Sequence, residues 1–106
     1  MKRYIYLISP QKVWGNKFYN DLDKILKTKK VKYFQLRIKK ISNSNLIKIS
    51  NKIKKIVKKN NVKFIINDKP AIAKKIGADG CHIGQKDMDY KSSRKVLGEK
   101  KIIGVT

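Results

Sequence analysis

Cysteine occurs once in this chain, at Cys81, so no internal disulfide can form and a reducing, cytoplasmic setting is expected. The single histidine, His82, is its neighbour, which leaves no His/Cys cluster with zinc spacing. No apolar run approaches the roughly 20 residues of a membrane span. Met1-Lys2-Arg3 precedes a short apolar run, but that run is too brief for a secretory leader and charged residues follow it. There is no Gly-x-Gly-x-x-Gly after the first apolar run, no Gly-Lys-Ser/Thr phosphate loop and no nucleophile elbow. Dinucleotide folds, P-loop enzymes and serine hydrolases therefore lose their usual signatures.

Arginine and acid are scarce as well. Of 28 Lys and Arg only Arg3, Arg37 and Arg94 are Arg, and seven Asp and Glu leave a formal net charge of +21. Such a charge raises the question of a nucleic-acid partner. The lysines, however, are spread over most segments rather than gathered in one tail, and the chain is also rich in Ile and Asn. That pattern reads as a compositional bias with a solvated Lys-rich exterior, so a basic nucleic-acid-binding module is the lesser alternative.

What is present is alternation. A first strand is expected over residues 3–9, closed by Ser9-Pro10, then a helix over about 14–29 marked by Trp14, Phe18, Leu22, Ile25 and Leu26. Strand two covers 31–37 and helix two about 44–59, with Ser42 or Ser44 as its cap. Strand three covers 62–66, and a short helix runs from Pro70 to Gly77, proline and glycine standing where helices tolerate them. Strand four covers 80–84, a fourth helix 90–97, and strand five 101–105. Strand–helix repetition with short connections implies parallel strands in an α/β fold. In such folds chemistry sits at the carboxyl ends of the strands.

Two places at those ends carry reactive groups. Gln35, Arg37 and Lys39 alternate with Leu36 and Ile38, which puts the polar three on one face. Unpaired charge inside a barrel mouth is costly, so Arg37 and Lys39 there call for an anion, and a diphosphate satisfies both. The competing reading is a strand end with solvated charges. Asn67-Asp68 closes strand three, and Asp87 follows strand four. Two carboxylates at neighbouring strand ends suit Mg²⁺, which completes its octahedron with water and phosphate oxygens. Alternatively Asp68 is a helix cap ahead of Pro70, Asp87 a loop carboxylate and Asn67 a turn residue. His82 reads first as a buried, hydrogen-bonded core residue, and Cys81 as packing on the opposite face.

Several blocks together resemble one family. They are Gln35-Leu36-Arg37-Ile38-Lys39, Ile66-Asn67-Asp68, Gly77-Ala78-Asp79-Gly80, residues 82–87 (HIGQKD) and Ile103-Gly104-Val105-Thr106. Their order and spacing are similar to those of thiamine phosphate synthases, which are (βα)₈ TIM-barrel enzymes. A complete barrel of this kind needs roughly 200–250 residues. The resemblance thus implies the first half of such a barrel, a single partial domain over 1–106 with about five parallel strands and four helices.

The resemblance implies a transferase of thiamine biosynthesis that joins hydroxymethylpyrimidine diphosphate to thiazole phosphate with release of diphosphate. It implies substrate contacts from Gln35, Leu36, Arg37, Ile38, Lys39, Asn67 and Thr106, with catalytic roles for Arg37 and Lys39. It also implies Mg²⁺ on Asp68 and Asp87. Thr106 stands where the family usually has Ser and keeps the hydroxyl. Lys69 stands where Arg is common and loses the bidentate fork. A thiazole tautomerase-like isomerase of the same fold is the alternative, disfavoured by the intact Asn67-Asp68 and Asp87 motifs. An incomplete barrel is expected to be inactive alone and to self-associate through open edges at strands one and five.

Overall fold

The computed structural model describes residues 4–12, 15–84 and 90–105. Within them the strands β1 (Ile5–Ile8), β2 (Val31–Leu36), β3 (Lys63–Asn67), β4 (Gly80–Ile83) and β5 (Ile102–Val105) form one parallel sheet in sequence order. Between them run α1 (Asn16–Lys27), α2 (Asn43–Lys59), α3 (Pro70–Ile76) and α4 (Tyr90–Leu97). Every crossover steps the same way along the sheet, so right-handed connections place all four helices on one face. This is the α/β architecture expected of half a βα-barrel.

Local chemistry explains the elements. Ser42 caps α2, its side chain accepting from the Asn45 N–H at 3.2 Å. Behind it Leu46, Ser50, Ile53 and Val57 form the buried stripe, with Ser50 as an unforeseen polar member. Pro70 opens α3, and Gly77 ends it with a left-handed φ of 69°. The first helix starts two residues later than its apolar spacing suggests, after Gly15. Leu22 and Leu26 are buried on it, whereas Ile25 is exposed; Trp14 lies outside the described residues.

The core lies between sheet and helices. Phe34, Leu36, Phe64, Ile66, Cys81 and Ile83 point that way, each no more than 1% exposed. Each large apolar side chain so buried contributes about 1.5–3 kcal/mol. Among the described residues, no helix covers the other face of the sheet. The outermost strands show the consequence: Tyr6 and Ile8 of β1 and Ile102 of β5, whose register puts them on that face, are exposed.

Candidate functional site

The strand registers arrange the uncovered face in levels. Ile8, Gln35, Ile65, Gly80 and Ile102 form one row across all five strands. One level nearer the carboxyl ends, Asn67, His82 and Gly104 stand side by side. The first row is largely apolar and makes a floor. The second, with the exit of β2, is polar.

Above the floor opens a cleft of about 1140 Å³ whose lining includes Gln35, Arg37, Lys39, Asn67, Asp68 and His82. Sequence alternation therefore places Gln35, Arg37 and Lys39 correctly on one face, and the fold brings Asn67 and Asp68 to the same cleft. Leu36 and Ile38 are on the other face: Leu36 is in the core and Ile38 packs against it. Their side chains are turned away from the cleft and neither residue lines it, so the expected substrate contacts from Leu36 and Ile38 are not formed by this arrangement. Asp87 and Thr106 lie outside the described residues.

Asp68 has an uncommon backbone. Its φ is 64°, in the left-handed region that Asp tolerates better than most residues but still at a cost. Its N–H donates to the His82 carbonyl at 2.8 Å, pinning the turn to β4. Its carboxylate accepts from the Asn67 amide at 2.9 Å. The helix-cap reading does not hold, because Lys69 occupies the cap position of α3 and no side chain caps that helix. Lys69 itself reaches the Asn43 side chain at 2.6 Å and does not line the cleft.

The Asp68 carboxylate and the Asn67 amide oxygen are hard donors of the kind Mg²⁺ prefers. Among the described residues no group of three or more His, Cys, Asp or Glu is placed to hold a metal. An all-protein cage is thus not formed there, whereas a magnesium ion that takes most ligands from phosphate and water needs only one or two carboxylates. Arg37 and Lys39, which line the same cleft as the carboxylate, would disfavour a lone cation and favour one arriving with an anion.

Some participants leave no signal in the sequence. Tyr6 and Tyr33 stack at 5.5 Å beside the floor, and the Tyr6 hydroxyl accepts from the Gln35 amide at 3.0 Å. The near-continuous apolar run of β1 hides this, although Tyr6 has the same alternation parity as Ile8. His82 is part-buried in the cleft wall rather than in the core, and Gly104 makes room for it: a Cβ there would lie 2.6 Å from its Nδ1. Cys81 is wholly buried on the opposite face, as alternation requires.

Comparison with known proteins identifies the family and the fold. The family model for thiamine monophosphate synthase matches residues 5–106. A thiamine-phosphate synthase of Pelagibacter ubique is 56% identical over 99% of this chain and 50% of its own length. One of Methanobrevibacter smithii is 41% identical over 96% of this chain and 48% of its own. A solved structure of thiamine phosphate pyrophosphorylase from Pyrococcus furiosus superposes with a TM-score of 0.82 at 20% identity, over 98% of this chain and 50% of that one. The chain spans about half the length of the curated relatives it matches. With nearly its whole length matched by the family model, the chain belongs to the thiamine monophosphate synthase family.

Proposed function

We propose that this chain supplies the pyrimidine diphosphate side of a thiamine phosphate synthase active site, in an enzyme that joins hydroxymethylpyrimidine diphosphate to thiazole phosphate. The observation that carries the reading is the convergence of Arg37, Lys39, Asn67 and Asp68 on one cleft at the carboxyl ends of β2 and β3. Arg37 and Lys39 neutralise the diphosphate and stabilise it as it departs, leaving a cation on the methylene carbon that the aminopyrimidine ring delocalises. The thiazole nitrogen then attacks that carbon, giving thiamine phosphate and diphosphate. Gln35, held by Tyr6, and Asn67 orient the pyrimidine by hydrogen bonds. The work is charge stabilisation and positioning.

Asp68, with Asp87 and the diphosphate oxygens, would hold Mg²⁺, which supplies further neutralisation of the leaving group. Thr106 offers a hydroxyl to the same substrate. The biosynthetic chemistry and the lone buried Cys81 support a cytoplasmic setting. No helix among the described residues is long and apolar enough to cross a membrane. The open edges at β1 and β5 support self-association or pairing with a further half-barrel. Light scattering of wild type against Ile8→Lys with Ile102→Lys tests this; identical size distributions would count against the edges.

The decisive experiment for the site is calorimetry with hydroxymethylpyrimidine diphosphate, with Mg²⁺ and with EDTA. Arg37→Ala should weaken binding by about tenfold or more, since a charge-assisted bond contributes about 1.5–3 kcal/mol. Lys32→Ala and Lys55→Ala, from the general lysine background, should change it by less than about twofold at physiological salt. Comparable losses in all three would mean a diffuse positive field rather than a site. Asp68→Ala should abolish the difference between Mg²⁺ and EDTA.

A further inference from the structure

The segment that presents Arg37 and Lys39 lies past the last paired residue of β2, and something must hold it extended. In a regular parallel ladder each strand residue that donates its N–H to the neighbour also accepts through its own carbonyl. The Ser9 N–H donates to the Gln35 carbonyl at 2.9 Å, so the Ser9 carbonyl would be the next acceptor, for the Arg37 N–H. It is not. The Arg37 N–H donates instead to the Ser9 hydroxyl, at 2.9 Å. Two residues on the substitution repeats: the Lys39 N–H donates to the side-chain oxygen of Gln11 at 3.1 Å. Pro10, between them, fixes the backbone φ at the end of β1.

We propose that Ser9 and Gln11 are positioning residues that add two side-chain rungs to the β1–β2 ladder and so aim Arg37 and Lys39 into one cleft. Ser9 is buried, at 8% exposure, and neither residue lines the cleft, so both act through the backbone of the residues they hold. With both amides fixed at alternate positions, both cationic side chains leave the chain on the same side. Released, the segment can rotate and its two charges need not converge. The proposal deepens the phosphate reading of the cleft and rests on it for its functional consequence.

The test uses the full chain, with amide hydrogen exchange and inorganic diphosphate as the probe. Ser9→Ala should raise exchange at Arg37, and Gln11→Met at Lys39, each about fivefold, while the amides of β3 stay protected. Diphosphate affinity should fall about threefold or more in each, and Ser9→Thr, which keeps the hydroxyl, should restore both quantities. Unchanged exchange overturns the rungs. Faster exchange with unchanged diphosphate affinity overturns the positioning role. Equal binding by wild type and Arg37→Ala instead marks failure of the phosphate reading; it removes the positioning role too, while the exchange data still judge the rungs. Should Ser9→Ala lose protection throughout β3, Gln11→Met, at an exposed position, decides alone.

Discussion

The two ends of the sheet use carboxylates in opposite ways. At the amino ends of the strands Asp79 is consumed by the fold. Its side chain accepts from the Phe64 N–H at 2.7 Å, its own N–H donates to the Phe64 carbonyl, and its carbonyl accepts from the Ile102 N–H. One residue thereby ties β3 and β5 to the turn before β4. At the carboxyl ends Asp68 sits in a strained conformation on a cleft wall with cations nearby. Two chemically identical side chains on one short stretch of chain thus have different surroundings. Under the proposed function, a carboxylate's meaning lies in which end of a parallel strand it closes, the amino end serving stability and the carboxyl end chemistry.

The sharpest way to break the stapled end is Gly80→Ala. A Cβ there would lie 2.2 Å from the Ile102 carbonyl oxygen and 2.7 Å from its Cβ, and backbone cannot yield as a flexible side chain can. We expect a loss of about 3 kcal/mol in denaturant unfolding, at the upper end of overpacking costs. A loss below about 1 kcal/mol would mean that β5 docks loosely on β4.

Asp79→Ala comes next. It leaves the Phe64 N–H without its acceptor, so a loss of about 2 kcal/mol is expected. The bond can be separated from the charge with Asp79→Asn, which keeps an acceptor oxygen and should recover more than half of the loss.

The opposite end should respond in the opposite sense. Asp68→Gly relieves a left-handed backbone but adds freedom to the unfolded chain, so stability should stay within about 1 kcal/mol of wild type. The same change removes the carboxylate proposed to hold Mg²⁺ and should abolish the metal dependence of diphosphate binding. If Asp68→Gly unfolds the chain as badly as Asp79→Ala does, the contrast between the two ends fails.

Much of this architecture is legible in the amino-acid sequence. Strand–helix alternation implies the parallel sheet, because the elements carry their own periods and their own boundaries: Ser42 and Pro70 as starts, Pro10, Gly77 and Gly98 as stops. The parity of Gln35, Arg37 and Lys39 marks the cleft-facing side of β2. Parity is silent where both parities are apolar, which is why Tyr6 and its bond to Gln35 are invisible in the run from Tyr4 to Ile8. The same uniformity conceals how exposed that run is, since burial depends on what covers a strand and not on the strand itself. Ser9 and Gln11 are also out of reach. A side chain that replaces a ladder carbonyl leaves no periodic trace, only an ordinary Ser and Gln around a proline. Asp68 and Asp79 are indistinguishable as residues; only their motifs set them apart.

The smallest effect belongs to a third carboxylate at the stapled end. Asp23, late in α1, accepts from the Asn60 amide at 3.0 Å and pairs with Lys27 at 3.0 Å and Lys59 at 3.3 Å. Asn60 is the residue that ends α2, so the cluster joins the last turns of two neighbouring helices. The Asn60 hydrogen bond, then Lys27, holds the carboxyl well below its ordinary 3.8, at about 2. A carboxyl depressed in the folded state stabilises above its unfolded value, and that stabilisation is lost as pH falls through the folded one. The window is therefore from about 3.8 down to about 2. Solvent screens the cluster, so the contribution at neutral pH is small and should shrink further in molar salt. Unfolding midpoints of wild type and Asp23→Asn should converge as pH drops through that window and differ slightly above it. Parallel pH profiles for the two proteins would show that the helix ends are held by packing alone.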